Sequence, residues 1–137
     1  MVLPTASPPL PGTTKVLSVG LHPRVLDYSR MPEGVDEAAF TARIEAAHTA
    51  LREAGFDVVP CLIDTDPDRS EAAVREQLRA DVFGLAMIGG GVRMAPEHTV
   101  LFERLVNVLT EEAPGIRLCF NSSPENTVEA LRRWIRA

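Results

Sequence analysis

The sequence predicts an α/β fold, a three-layer sandwich in which a four-stranded parallel sheet in the order 2-1-3-4 lies between helices. Segments with strand character alternate four times with amphipathic helical segments, a pattern typical of parallel sheets joined by right-handed crossovers. Residues 82–88 form an uninterrupted apolar run, which favours a central strand. Pro60 lies within another strand segment and indicates an edge, because proline cannot donate to the ladder.

Two strands and one helix make up the first half of the predicted domain. Residues 16–21 form an apolar first strand. Apolar side chains recur at helical spacing over residues 36–54, and Gly55 provides the end of that helix. The second strand spans residues 56–63 and contains Pro60.

The second half continues the alternation. A short helix over residues 70–79 leads into the central strand at 82–88, and a helix with one apolar face follows over 96–112. Residues 116–121 alternate between apolar and polar side chains, which predicts a half-exposed strand at the other edge of the sheet. Ser123 then caps the last helix.

Length, charge and cysteine usage limit the classes of protein that fit. The 137 residues suffice for one domain, which we expect at 15–137 after a flexible proline-rich extension at 1–14. The net charge of -5 disfavours nucleic-acid binding, which needs a basic face. No apolar run approaches the length that crosses a bilayer, and residues 1–14 lack the pattern of a signal peptide. Two cysteines without CxxC spacing agree with a cytoplasmic, reduced protein that has no membrane role.

The predicted strand order creates a switch point between the first and third strands. Ligands bind at such points, outside the carboxyl ends of the strands. Three segments meet there, namely the long connection after the first strand, the glycine turn after the third and the polar residues after the fourth. The candidate ligand-binding residues are therefore His22, Arg24, Tyr28, Arg30, Gly89, Gly90, Gly91, Arg93, Asn121 and Ser122.

The glycine turn has two interpretations. The backbone N–H groups of residues 89–91 can bind an anion, with Arg93 adding positive charge. The alternative is a tight turn that packs the sheet against its helix. The turn is not a Walker loop because the GK[ST] ending is absent, and Met94 replaces the last glycine of a dinucleotide fingerprint. The sequence therefore identifies no cofactor.

Other sequence motifs for catalysis or metal binding lack one or more of their required residues. The acidic run at 64–68 lacks the glycine and glutamate of a calcium loop, and no histidine has metal-ligand spacing, so no metal site is expected. There is no G-x-S-x-G motif, and Cys119 lies among core residues of a strand. His22 could titrate near neutral pH but has no paired acid or base in the sequence pattern. Whether the protein is an enzyme stays open.

Several local motifs resemble a group of small uncharacterised bacterial proteins. The motifs are Val-Gly-Leu-His-Pro at 19–23, Val-Leu-Asp-Tyr-Ser at 25–29, Ile-Gly-Gly-Gly-Val-Arg at 88–93, Phe102-Glu103, Val106-Asn107, and Phe120-Asn121 with Pro124. The similarity covers nearly the whole domain after Lys15. It implies a bacterial, cytoplasmic, Rossmann-like protein and carries over no catalytic residue.

Two classes of function remain. The first is a small-ligand enzyme or binding protein, whose pocket takes an anionic or nucleotide-like ligand through the glycine turn and Arg93, with residues 22–30 as a lid. The second is a non-catalytic interaction module that forms a homodimer through the fourth strand or the last helix with Trp134. Polar groups converging at the switch point favour the first. A shallow surface there, with apolar area exposed near Trp134, would favour the second.

Overall fold

A four-stranded parallel sheet forms the centre of the protein in the computed structural model, which describes residues 13–135. The strand order is β2-β1-β3-β4, which confirms the predicted fold class. The strands are β1 (Val16–Leu21), β2 (Val58–Ile63), β3 (Leu85–Ile88) and β4 (Arg117–Phe120). The predicted extension at 1–14 lies outside the described residues except for its last two.

Helices cover both faces of the sheet and complete the three layers. They are α1 (Glu37–Glu53), α2 (Pro67–Ala80), the single turn α3 (Gly90–Arg93), α4 (Thr99–Glu112) and α5 (Thr127–Arg132). α2 and α4 pack on one face, and α1 and α5 pack on the other. None of the helices within residues 13–135 combines the length and apolar character needed to cross a membrane.

Several element boundaries differ from the prediction: β2, α4 and β4 are shorter by one to three residues at an end, and α2 and β3 start at other positions. α2 begins at Pro67, three residues before the predicted start, because the Asp66 carboxylate accepts a hydrogen bond from the Arg69 N–H at 2.8 Å and caps the helix. β3 begins only at Leu85, and Val82 at the start of the apolar run is 67% exposed. The central strand is therefore shorter than its apolar run.

The two faces of β1 carry different kinds of side chain. Leu17, Val19 and Leu21 are buried against α2 and α4, where they belong to a continuous apolar cluster. On the other face Val16 joins a smaller cluster under α1 and α5, but Ser18 does not. The hydrophobic core is thus more extensive on the α2 and α4 face.

Ion pairs connect α2 and α4 at the surface. Arg104 on α4 donates to Asp68 at 2.7 Å and to Glu71 at 3.1 Å. Glu112, at the end of α4, accepts from Arg75 at 2.7 Å and from Arg79 at 3.0 Å. Because several charges share partners, this network holds the two helices together better than isolated surface pairs would.

Acid should weaken the network. The pKa of Glu112 lies below its usual value of 4.5, first because Arg79 donates hydrogen bonds to it and then because Arg75 does. Such a carboxyl stabilises the fold above its unfolded-state pKa and loses that contribution as the pH falls through its folded-state pKa. We expect the free energy of unfolding in urea to fall between about pH 5 and pH 3, and to fall less steeply in Glu112→Gln.

The matched control is Glu103→Gln. Glu103 is exposed on the same helix and forms no hydrogen bond or ion pair with any residue of the described range 13–135. Its variant should keep the pH dependence of the wild-type protein. Equal pH dependence in Glu112→Gln and wild type would contradict a contribution from Glu112.

Candidate functional site

A cavity of about 250 Å³ lies between the sheet and α1, at the carboxyl ends of β1, β3 and β4. The sheet side of the cavity, which we call the floor, consists of Ser18, Gly20, Met87, Gly89 and Asn121. This is the side of the switch point in the strand order, where ligands of open parallel sheets bind.

The helix side of the cavity, which we call the roof, consists of Phe40, Ile44, Ala47 and His48 of α1. These side chains are only half-buried, and Leu51 near the end of α1 is the one fully buried residue of that helix. The carboxyl-terminal part of α1 therefore packs on the sheet, whereas its amino-terminal part faces the cavity.

Small residues in the floor explain why the cavity exists. Side chains alternate along a strand, so Val16, Ser18 and Gly20 of β1 share one face. Only Val16 is large enough to contribute to the core there. A Cβ atom placed on Gly20 would meet no atom within 4 Å. The space above the second half of β1 is consequently left open.

An ion pair attaches the amino-terminal part of α1 to the turn before α5. Arg43 donates from Nε and from one terminal nitrogen to the two carboxylate oxygens of Glu125, at 2.9 and 2.6 Å. The pair raises the pKa of Arg43 and lowers the pKa of Glu125. The positive charge of Arg43 is therefore neutralised at the cavity edge.

The connection between β1 and α1 is folded into two short 3-10 turns, Pro23–Val25 and Tyr28–Arg30. The Tyr28 hydroxyl donates to the Pro23 carbonyl at 2.5 Å, which fastens the turns to each other. Leu26 and Met31 of this connection line the cavity. The segment thus contributes apolar side chains to the site.

A buried hydrogen-bond network closes the far end of the floor. The Asn121 Oδ1 atom accepts from the Gly90 N–H at 2.9 Å, and Nδ2 donates to the Thr127 hydroxyl at 2.8 Å. Thr127 in turn donates to the Pro124 carbonyl at 2.8 Å. Asn121 and Thr127 are buried at the edge of the cavity, and the network joins the end of β3 to the start of α5.

Gly90 is required by close packing. A Cβ atom at this position would lie 3.0 Å from the carbonyl oxygen of Ser122 and 3.1 Å from its carbon. The backbone dihedral angle φ of Gly90 is not positive, and the glycines with positive φ in the described chain are Gly34, Gly55 and Gly115. Of the two interpretations of the glycine turn, tight packing accounts for Gly90, and its N–H is already bonded to Asn121.

One buried polar group of the floor has no protein partner. Ser18 is 7% exposed and lines the cavity, and its hydroxyl forms no hydrogen bond with any residue in the described range. The Ser18 hydroxyl is accessible from the cavity, where water or a ligand can form the hydrogen bond that the described protein does not supply. Ser18 therefore indicates a position where a bound molecule gains a hydrogen bond.

The cavity carries no uncompensated charge among the described residues that line it. Arg43 is paired with Glu125. His48 has a pKa below its usual value, mainly because burial disfavours the charged imidazolium and also because Arg52 is near. The imidazole is accordingly neutral at pH 7. The site is electrostatically neutral and mainly apolar.

The structure brings half of the residues predicted from the sequence to the cavity. Those that line it are Gly89, Gly90, Gly91, Asn121 and Ser122. Those that do not are His22, Arg24, Tyr28, Arg30 and Arg93.

The predicted residues outside the cavity have other contacts. The His22 Nδ1 atom accepts from the Arg24 N–H at 3.1 Å and caps the first 3-10 turn. Arg30 is exposed and pairs with Asp27 and Glu97. The Arg93 guanidinium lies 5.4 Å from the centre of the Phe120 ring and donates to the Asn121 carbonyl at 3.2 Å. Arg93 thus packs against β4 and adds no charge to the cavity.

The sequence interpretation did not select the roof residues or Ser18 and Gly20. A signal for the floor was present, because two small residues occupy the same face of a central strand where large apolar residues are usual. The roof had no comparable signal, since Phe40, Ile44 and Ala47 form an ordinary amphipathic helix face. Their half-burial becomes visible only in the packed structure.

Neither cysteine resembles a reactive thiol. Cys61 and Cys119 lie buried on the two edge strands, and both are free. Burial raises the pKa of Cys61 to about 11 and that of Cys119 to about 12. Both thiols are therefore protonated at neutral pH. Residues 13–135 also contain no group of three or more His, Cys, Asp and Glu side chains arranged to hold a metal ion.

Comparisons of the chain with protein family models, with curated proteins and with solved structures find no match. A fold of this class hosts many unrelated functions. The chemistry of the cavity itself, a neutral apolar space with one unpaired hydroxyl, is therefore the basis for assigning a function.

Replacing Asn121 by alanine should destabilise the fold. Asn121→Ala leaves the Gly90 N–H and the Thr127 hydroxyl without their partner in a buried environment, which costs about 1–3 kcal/mol. Urea denaturation measures this change. The control is Asn107→Ala, at an exposed position on α4. We expect this variant to lose less than about 0.5 kcal/mol in free energy of unfolding. Equal costs at the two positions would contradict a role for the network.

The thiols should react slowly in the folded protein. With Ellman's reagent at pH 8, we expect two thiols to react rapidly in denaturant and neither to react at a comparable rate in the native protein. The reason is burial together with the raised pKa values of both groups. Rapid native reaction at Cys119, identified by mass spectrometry, would show that this thiol is accessible and ionised.

Proposed function

We propose that the protein binds a small organic molecule in the cavity between α1 and the sheet. The single observation that carries the proposal is the open space above Ser18 and Gly20, where a central strand bears the two smallest residues of its face. Its volume of about 250 Å³ lies just below the range of about 300–1,000 Å³ for drug-sized ligands. The cavity suits a smaller molecule.

A packing role does not account for these two residues. Glycine within a strand destabilises a protein by roughly 0.5–1 kcal/mol relative to alanine. β-branched residues have a higher strand propensity than serine. A larger apolar side chain at position 20 would find free space. The protein thus forgoes stability at the floor of the cavity, which supports a functional reason for the space.

The lining favours a ligand with a mainly apolar surface over the anionic ligand that the sequence suggested. The apolar side chains that line the cavity include those of Leu26, Met31, Phe40, Ile44 and Leu62. Arg93, the cation expected to bind an anion, packs against β4, and Arg43 at the cavity edge is paired with Glu125. Apolar walls with a few placed polar groups are typical of small-molecule sites.

The position of Trp134 does not favour the alternative function, a homodimeric interaction module. Its side chain is half-buried and packs against the cluster under α1 and α5 instead of forming an exposed patch. The switch point holds a cavity and not a shallow surface. Both observations favour ligand binding. The proposal stops at binding, because the Ser18 hydroxyl is hydrogen-bonded to no base within residues 13–135.

Filling the cavity should abolish binding without harming the fold. We expect at least one member of a panel of indole, adenine, benzamide, cyclohexanol, benzoate and phenyl phosphate to raise the melting temperature of the wild-type protein. A ligand at 100 times its Kd stabilises by about 2.7 kcal/mol, a shift of several degrees. In Gly20→Leu the shift should disappear, while the melting temperature without ligand is unchanged or higher, because the new side chain occupies free space.

Ala72→Leu is the matched control. Ala72 is exposed on α2, on the other face of the sheet, so its variant should bind as the wild-type protein does. The proposal is wrong if no compound of the panel shifts the melting temperature, or if Gly20→Leu binds a hit as tightly as the wild-type protein.

A further inference from the structure

We infer that the ligand of this cavity is an uncharged, planar aromatic molecule with a hydrogen-bonding group on its edge, the class of aromatic amides and nitrogen heterocycles. The inference rests on the proposed function and adds the chemical class of the ligand. Three features of the cavity carry it, namely its neutrality, its unpaired polar groups and the shape of its two walls.

Neutrality disfavours an ionised ligand. Arg43 is the one lining residue of the described chain with a formal charge, and Glu125 holds it through two hydrogen bonds at 2.9 and 2.6 Å. A carboxylate or phosphate in the cavity would lose its hydration without gaining a free counter-charge. Burying an unpaired ion is costly, so a neutral molecule is preferred.

Unpaired polar groups at the floor select for a hydrogen-bonding edge. The Ser18 hydroxyl, 7% exposed, can both donate and accept, and it has no partner within the described range. Asn121, also 7% exposed, donates one Nδ2 hydrogen to Thr127 and retains a second. The bond from the Gly90 N–H fixes the orientation of this amide, since a flipped group would place two donors together.

The two walls favour a flat molecule. Gly20 and Gly89 present bare backbone on the floor, because neither has a side chain. On the roof, Phe40 and Ile44 present apolar surface toward the same space. A planar ring presents one apolar face to each wall. Arg43 lies 5.3 Å from the centre of the Phe40 ring, so the remaining face or edge of that ring is the part that can pack against an aromatic ligand. A puckered saturated ring of the same size is thicker and less polarisable.

The experiment uses three probes that differ in one property each. Benzamide is neutral, planar and hydrogen-bonding, benzoate is its charged analogue, and cyclohexanecarboxamide is its saturated analogue. Binding is measured at pH 7.5 by titrating the ¹H–¹⁵N signals of Gly20, Gly89 and Gly91. For a molecule this small, a Kd on the order of 1 mM is expected.

We expect benzamide to bind at least about tenfold more tightly than benzoate. We expect it to bind at least about threefold more tightly than cyclohexanecarboxamide. Ser18→Ala should weaken benzamide binding by about two- to tenfold, because one neutral hydrogen bond is lost. The melting temperature should hardly change, since the removed hydroxyl has no partner in the described protein. Thr110→Ala, exposed on α4 on the other face of the sheet, is the control and should bind benzamide normally.

The outcomes separate this inference from the proposed function. Benzoate or cyclohexanecarboxamide binding as well as benzamide overturns the inferred class, and so does unchanged benzamide affinity in Ser18→Ala. If benzoate or cyclohexanecarboxamide binds the wild-type protein but not Gly20→Leu, the cavity is still a ligand site, but for another class of ligand. If benzamide moves no cavity amide signal, the inference fails, and the wider thermal-shift panel decides the proposed function.

Discussion

The alternation of side chains along β1 is the constraint that makes the two faces of the sheet differ. Leu17 and Val19 belong to one face, and Ser18 and Gly20 belong to the other. A shift of one residue in the pairing of β1 would exchange the two sets and place the large apolar residues under α1. The observed register therefore directs the main core toward α2 and α4 and leaves open space under α1.

The incomplete packing of α1 is offset elsewhere. On the opposite face, a continuous apolar cluster and the charge network between α2 and α4 hold the domain together. α1 itself is held by Leu51 near its end, by capping of its first turn through Asp36 and by the ion pair of Arg43. These contacts keep the helix in place over a space that it does not fill.

The fold could be predicted from the sequence because its main signals are local. Pro60 marks one edge strand, and the alternation over residues 116–121 marks the other. With the apolar run at 82–88 as a central strand, these signals predict the observed order. The start of α2 also had a local signal, since Asp66 and Pro67 form a standard cap three residues before the predicted start.

The residues of the site were harder to predict than the fold, because their positions depend on how the helices and strands pack against one another. Its place followed from the strand order, and Asn121 and the glycines followed from that place. The direction of Arg93 depends on how the single turn α3 is rotated against β4, which turns its side chain to Phe120. The half-burial of Phe40 likewise depends on how far α1 lies from the sheet. No local pattern carries such information.

The unequal faces of the sheet also bear on how such a protein can change over evolutionary time. Residues that line the cavity, such as Gly20 and Phe40, lie apart from the larger apolar cluster around Leu105 and Leu109. Substitutions in distant, independent regions have nearly additive effects on stability. A lineage could therefore alter the shape and chemistry of the cavity walls while the remaining domain stays folded.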